Sequence, residues 1–138
     1  LERTNVRDLT PEMLPWPIDV VTADLSFIAL AAVVPALVRC AASSADLVLL
    51  VKPQFESGRE SVGRGGVVRD PAARAAAVRR VARALTAAGA GPLAVTPSPL
   101  RGPAGNVEFL LHARAGAPGT LTDEEIDAGV GGVGARST

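Results

Sequence analysis

Val48-Leu-Leu-Val-Lys-Pro-Gln-Phe-Glu56 is an apolar run that stops abruptly on a lysine and a proline. Asp46-Leu-Val-Leu-Leu-Val51 has the composition of a strand that is apolar on both faces, as interior strands of parallel sheets are, and Pro53 ends its ladder. Upstream, Ile18-Asp-Val-Val-Thr-Ala23 predicts a short buried strand that ends at Asp24. Between the two, Leu25-Ser-Phe-Ile28 opens an apolar helix through about Ala42, in two pieces or kinked at Pro35, with Ser43-Ser44 as the turn. Downstream, Asp70-Pro71 is a helix start, an N-cap followed by proline at the first position. Val78, Val81, Ala82 and Leu85 then share one face, Arg74, Arg79, Arg80 and Arg83 take much of the rest, and Gly89 is the stop. Leu93–Thr96 and Val107–Ala113 predict a third and a fourth strand. Strands alternating with helices indicate an α/β open sheet.

Toward the ends the pattern thins. Leu1–Asp8 reads as the end of a strand running into a loop, so the numbering is expected to start inside a domain. Thr10-Pro11-Glu12 predicts a short helical turn, and Pro15-Trp16-Pro17 an extended stretch. After Arg114 no core pattern is visible. Residues 1–114 are therefore expected to form the domain and residues 115–138 a flexible tail. Within that tail, Gly129-Val-Gly-Gly-Val-Gly134 satisfies the G-x-G-x-x-G pattern of dinucleotide sites, but without a preceding strand or a following helix it is expected to cradle nothing.

Composition narrows the function. With 138 residues, 48% of them hydrophobic but only 3% aromatic, the chain is one domain or part of one, rich in alanine and short of large side chains. Zero net charge means that any basic surface is local. The single cysteine, Cys40, excludes an internal disulfide and a cysteine zinc cluster, and fits a reducing compartment. No signal peptide opens the chain, and the longest apolar run, Leu25–Val38, is interrupted by Ser26 and Pro35 and too short to span a bilayer. A cytoplasmic protein is expected. His112 lies in a strand with no metal partner in sight and reads as structural.

Lys52 is the only lysine beside 13 arginines. A guanidinium stays charged, whereas a buried lysine can shed its proton and act as a base; a snorkelling stem at a strand end is the plain alternative. Ligands of open α/β sheets sit beyond the C-terminal strand ends, where Asp24 and Lys52 fall on consecutive units. Glu108 lies near the start of the last strand, and if that strand runs antiparallel it joins the same edge. Two carboxylates flanking a lysine suit deprotonation of a weakly acidic hydroxyl. Taken singly, Asp24 also reads as a helix cap, Glu108 as a solvated strand residue, and Asn106 with Gly105 as a turn. Residues 54–69 form a long connection rich in glycine and arginine; Arg59, Arg64 and Arg69 in it, and Arg101 beyond it, are either solvated or placed to grip RNA phosphates.

Four segments together resemble a known family: Ala23-Asp-Leu-Ser-Phe-Ile28, Val51-Lys-Pro-Gln-Phe-Glu56, Gly65-Gly-Val-Val-Arg-Asp70 and Ser98-Pro-Leu-Arg-Gly-Pro-Ala-Gly-Asn-Val-Glu-Phe109. They are similar to the haemolysin-A-like (TlyA-type) ribosomal RNA methyltransferases of the FtsJ-like, Rossmann-like branch, over about Leu1 to Ala113. The resemblance implies the C-terminal portion of a mostly parallel methyltransferase sheet with a final antiparallel strand. It also implies methyl transfer from S-adenosylmethionine to a ribose 2′-hydroxyl of ribosomal RNA or ribosomal subunits. From the family's Lys-Asp-Lys-Glu tetrad, Asp24 matches the aspartate, Lys52 the second lysine and Glu108 the glutamate, with Lys52 as general base and the carboxylates orienting it. Asn5 and Asp24 are placed near the cofactor. The family's first lysine, glycine-rich cofactor loop and small RNA-binding domain would lie upstream of Leu1, so these residues alone are expected to bind cofactor poorly and to be inactive. A catalytically silent RNA-binding module is the alternative. A cytolytic role, suggested by the family's historical name, ranks last because no segment is fit to insert into a membrane.

Overall fold

The structure, a computed structural model, describes residues 1–132. Four strands form one sheet: β1 (Ile18–Ala23), β2 (Ala41–Val51), β3 (Ala90–Pro97) and β4 (Phe109–Ala115), in the order β1-β2-β4-β3. β1 and β2 are parallel, and β4 is antiparallel to both of its neighbours, β2 and β3. Three strands therefore run one way and β4 the other, the mixed α/β sheet expected. The strand alternation decides the layering: Leu47, Leu49 and Val51 of β2 share a fully buried face with Phe109, Leu111 and Ala113 of β4. Helices α1 (Leu30–Cys40), α3 (Pro71–Ala87) and α4 (Asp123–Gly131) pack side by side over that face, while α2 (Pro53–Glu56) is a single turn after Lys52. Among the described residues no helix is long and apolar enough to cross a membrane.

Several expectations need correction. β1 is an edge strand rather than a buried one, and Val20 is 60% exposed, because the described helices cover only one face of the sheet. α1 starts at Leu30, not near Leu25, and runs unbroken through Pro35. Ser43-Ser44 is not a turn. β2 already begins at Ala41, and the register jumps from Ile18 opposite Ala41 to Val20 opposite Asp46, so these serines form a bulge, with Ser44 at φ 66°. The long connection after β2 contains α2 and two 3-10 turns, Arg59–Ser61 and Arg64–Gly66.

The largest correction concerns the expected tail, where α4 is part of the core. Thr122 and Glu125 form a reciprocal capping box, and Ile126 and Val130, four apart on one face, are buried. Gly129 opens the discarded glycine pattern, and its use is packing: a Cβ there would lie 3.2 Å from Val95 Cγ1, so α4 approaches β3 closely. The last residues of that pattern lie outside the described residues.

Candidate active site

Strand direction brings the predicted residues to one edge. Asp24 follows the last residue of β1 and Lys52 the last residue of β2; Glu108 precedes β4, whose first residue, Phe109, pairs with Val51. Lys52 is only 8% exposed, and its Nζ lies 2.5 Å from Asp24 Oδ1 and donates to Ser26 Oγ at 3.2 Å. The Asp24 side chain is 70% exposed. A buried amine thus opens to solvent beside a carboxylate that solvent can reach.

Glu108 reaches the edge but not the lysine. Among the described residues no ion pair within 4 Å joins the two. Glu108 is instead buried and accepts at Oε2 from Gln54 Nε2 at 2.9 Å, and a Cβ on Gly102 would lie 2.5 Å from the same oxygen. Gln54 Oε1, on the other side of that amide, is buried without a partner. Gln54, quoted above only as part of the Val51–Glu56 segment, is thus the partner that the sequence reading did not assign to Glu108.

Two further side chains join the Asp24 and Lys52 loops. Phe27, at φ 62°, is 90% exposed, and its ring stands 5.2 Å from that of Phe55; such a φ is strained for a bulky residue. Glu56 is 3% exposed, and its Oε1 accepts from the Leu30 amide at the start of α1. Asn5 caps its own turn, accepting from Arg7 N at 3.0 Å. A groove of about 510 Å³ runs from Val6 and Leu9 past Val21 and Thr22 to Asp24 and Leu25.

The arginines Arg59, Arg64, Arg69 and Arg101 are all exposed, with no carboxylate within 4 Å among the described residues. What organises them is Asn106, which closes the expected turn by accepting at its carbonyl from Gly102 N at 2.9 Å and whose buried side chain is in addition a clamp. Its Oδ1 accepts from Val68 N at 2.9 Å and its Nδ2 donates to Gly66 O at 2.9 Å, tying the Arg64–Arg69 segment to the loop that carries Arg101. Gly65 and Gly66, at φ 76° and 77°, make the tight bend that brings Gly66 O to the clamp. Arg74, missed by sequence reasoning, joins the group: it donates to Val68 O, and burial and then the neighbouring Arg101 charge pull its guanidinium below the ordinary value.

The molecule is thus an α/β sheet with a lysine–aspartate pair at its strand ends and exposed arginines on the loops that follow. Residues 1–115 match the FtsJ-like methyltransferases, and the chain belongs to that family. It is 54% identical over 128 residues to the 16S/23S rRNA (cytidine-2′-O)-methyltransferase TlyA of Mycobacterium tuberculosis, covering 93% of this chain and 46% of that protein. YqxC of Bacillus subtilis, which carries an rRNA methyltransferase name, is 40% identical over 131 residues, covering 91% of this chain and 47% of the relative. A solved structure from Lactococcus lactis, titled as a hemolysin, superposes with a TM-score of 0.90 at 31% identity, over 97% of this chain and 65% of that one. The chain spans about half the length of the TlyA and YqxC proteins it matches.

Proposed function

We propose that this chain is the base-bearing part of an enzyme that methylates a ribose 2′-hydroxyl of ribosomal RNA in the cytoplasm. The observation that carries the reading is the buried Lys52 amine held between Asp24 and Ser26 at the strand ends. Lys52 Nζ accepts the hydroxyl proton as the oxygen takes up the methyl, and Asp24 offsets the charge of the ammonium that forms. S-adenosylmethionine, when bound, supplies the methyl on a sulfonium centre. The groove that ends at Asp24 suits it, with apolar walls for an adenine and a carboxylate at the reacting end; Asn5, next to Val6 of that wall, is the second contact on this reading. Glu108 holds the Gln54 amide at the same edge and makes no ion pair with Lys52. Arg59, Arg64, Arg69, Arg74 and Arg101 hold phosphates, and the exposed Phe27 ring gives a base a face to stack on. Holding the hydroxyl in line with the methyl supplies much of the acceleration.

Lys52→Ala in the full-length enzyme is expected to lower methyl transfer to ribosomal subunits by about 100-fold or more while RNA binding persists. Unchanged transfer would overturn the assignment, and RNA binding with no transfer even by wild type would make the protein a silent module. The 138 residues alone are proposed to bind S-adenosylmethionine weakly, since they match only half of each relative; micromolar affinity by calorimetry would contradict this.

A further inference from the structure

We infer that Glu56 is a positioning residue for Lys52, its carboxylate pinning the Lys52 loop to the start of α1 and so holding the amine against Asp24 and Ser26. The inference deepens the active-site reading above and rests on it for its functional meaning.

The geometry begins with a helix that does not cap itself. Ala29, at the N-cap of α1, has no side-chain acceptor to offer, and the first amides of a helix need one. Glu56 provides it from a different element, its Oε1 accepting from the amide of Leu30. It stands one helical turn after Lys52, and the helix it caps begins six residues after Asp24. One side chain therefore ties together the two segments whose ends meet at the amine. From α3, Arg80 donates to the Glu56 carbonyl oxygen, so the same residue is also anchored through its backbone. The Phe27–Phe55 contact adds a second clasp, but one whose members are exposed or half-buried. Glu56 Oε2 is buried without a partner. A buried carboxylate is a costly way to cap a helix when a serine at the cap would suffice. Reaching across to the Lys52 loop is what a local cap could not do.

Because Lys52 is the only lysine, lysine labelled with ¹³C at Cε gives a single signal in this chain. Its two attached protons are inequivalent when the side chain is held and merge when it is free. Glu56→Ala is expected to merge them and to lower the melting temperature by about 3 °C. Adding Ala29→Ser restores a local cap: Glu56→Ala with Ala29→Ser should recover the melting temperature and still show merged signals. Glu56→Gln, which keeps the acceptor, should leave the two protons inequivalent, as in wild type. Inequivalent protons in Glu56→Ala, or their return in the double variant, would reduce Glu56 to a cap and overturn the proposal. If Glu56→Ala does not fold, the double variant carries the same decision. The signal reports where the amine is held, not what it does, so failure of the base assignment shows separately, as methyl transfer that survives Lys52→Ala.

Discussion

Glu56 sets a carboxylate where a helix start needs an acceptor but the surrounding core disfavours a charge. Burial pushes its carboxyl above the ordinary glutamate value, against the pull of the Leu30 and Ala31 amides and of Arg80. A folded state that holds a proton more tightly than the unfolded chain loses stability as pH rises. The contribution is full below about pH 4, near the unfolded value, and is lost as pH climbs through the raised folded one. Glu56→Gln should therefore melt close to wild type in acid and gain on it toward neutrality; parallel melting curves across that range would contradict the account. Lys52 was legible at this scale because it is unique. Glu56, Gln54 and Asn106 were not, since a polar residue carries no local mark of being buried.

At the scale of elements, capping and periodicity were readable where they were strong. Asp70 caps α3 as expected, accepting from Ala72 N at 3.0 Å, and the apolar face of that helix is the buried one. α4 was missed although Thr122, Glu125, Ile126 and Val130 spell it, because acidic residues and glycines dilute the stripe. The basic loop shows a different limit: its arginines were visible, but what holds their backbone was not. Asn106→Ala leaves Val68 N–H and Gly66 C=O without their partner, which should cost about 2 kcal/mol. Chemical denaturation would measure the loss, and faster amide exchange confined to the Gly63–Val68 segment would locate it; an unchanged midpoint would remove Asn106 from its place as a clamp.

For the whole molecule, the charges sum to zero and yet are segregated. Arg79 and Arg114 are taken up by Asp123, Asp127 and Asp46, while the arginines of the basic loop, with Arg74 and Arg101, have no carboxylate partner within 4 Å among the described residues. On the proposed function, RNA affinity should accordingly fall with salt. Replacing Arg64, Arg69 and Arg101 together by glutamine should flatten the log–log slope by about 2, at roughly 0.7 per single-strand phosphate contact; an unaltered slope would move the RNA elsewhere. The sequence by itself determined the class of sheet, the strands' order along the chain and the placing of Asp24 and Lys52 at strand ends. Those follow from β-branched runs, caps and prolines, which act on neighbouring residues. Only the tertiary structure decided which polar groups meet: Lys52 with Asp24 and Ser26, Glu108 with Gln54, Glu56 with α1, Asn106 with the arginine loop. Hydrogen bonds reach about 3 Å, and which distant residues come that close depends on how the layers pack, which no local pattern encodes.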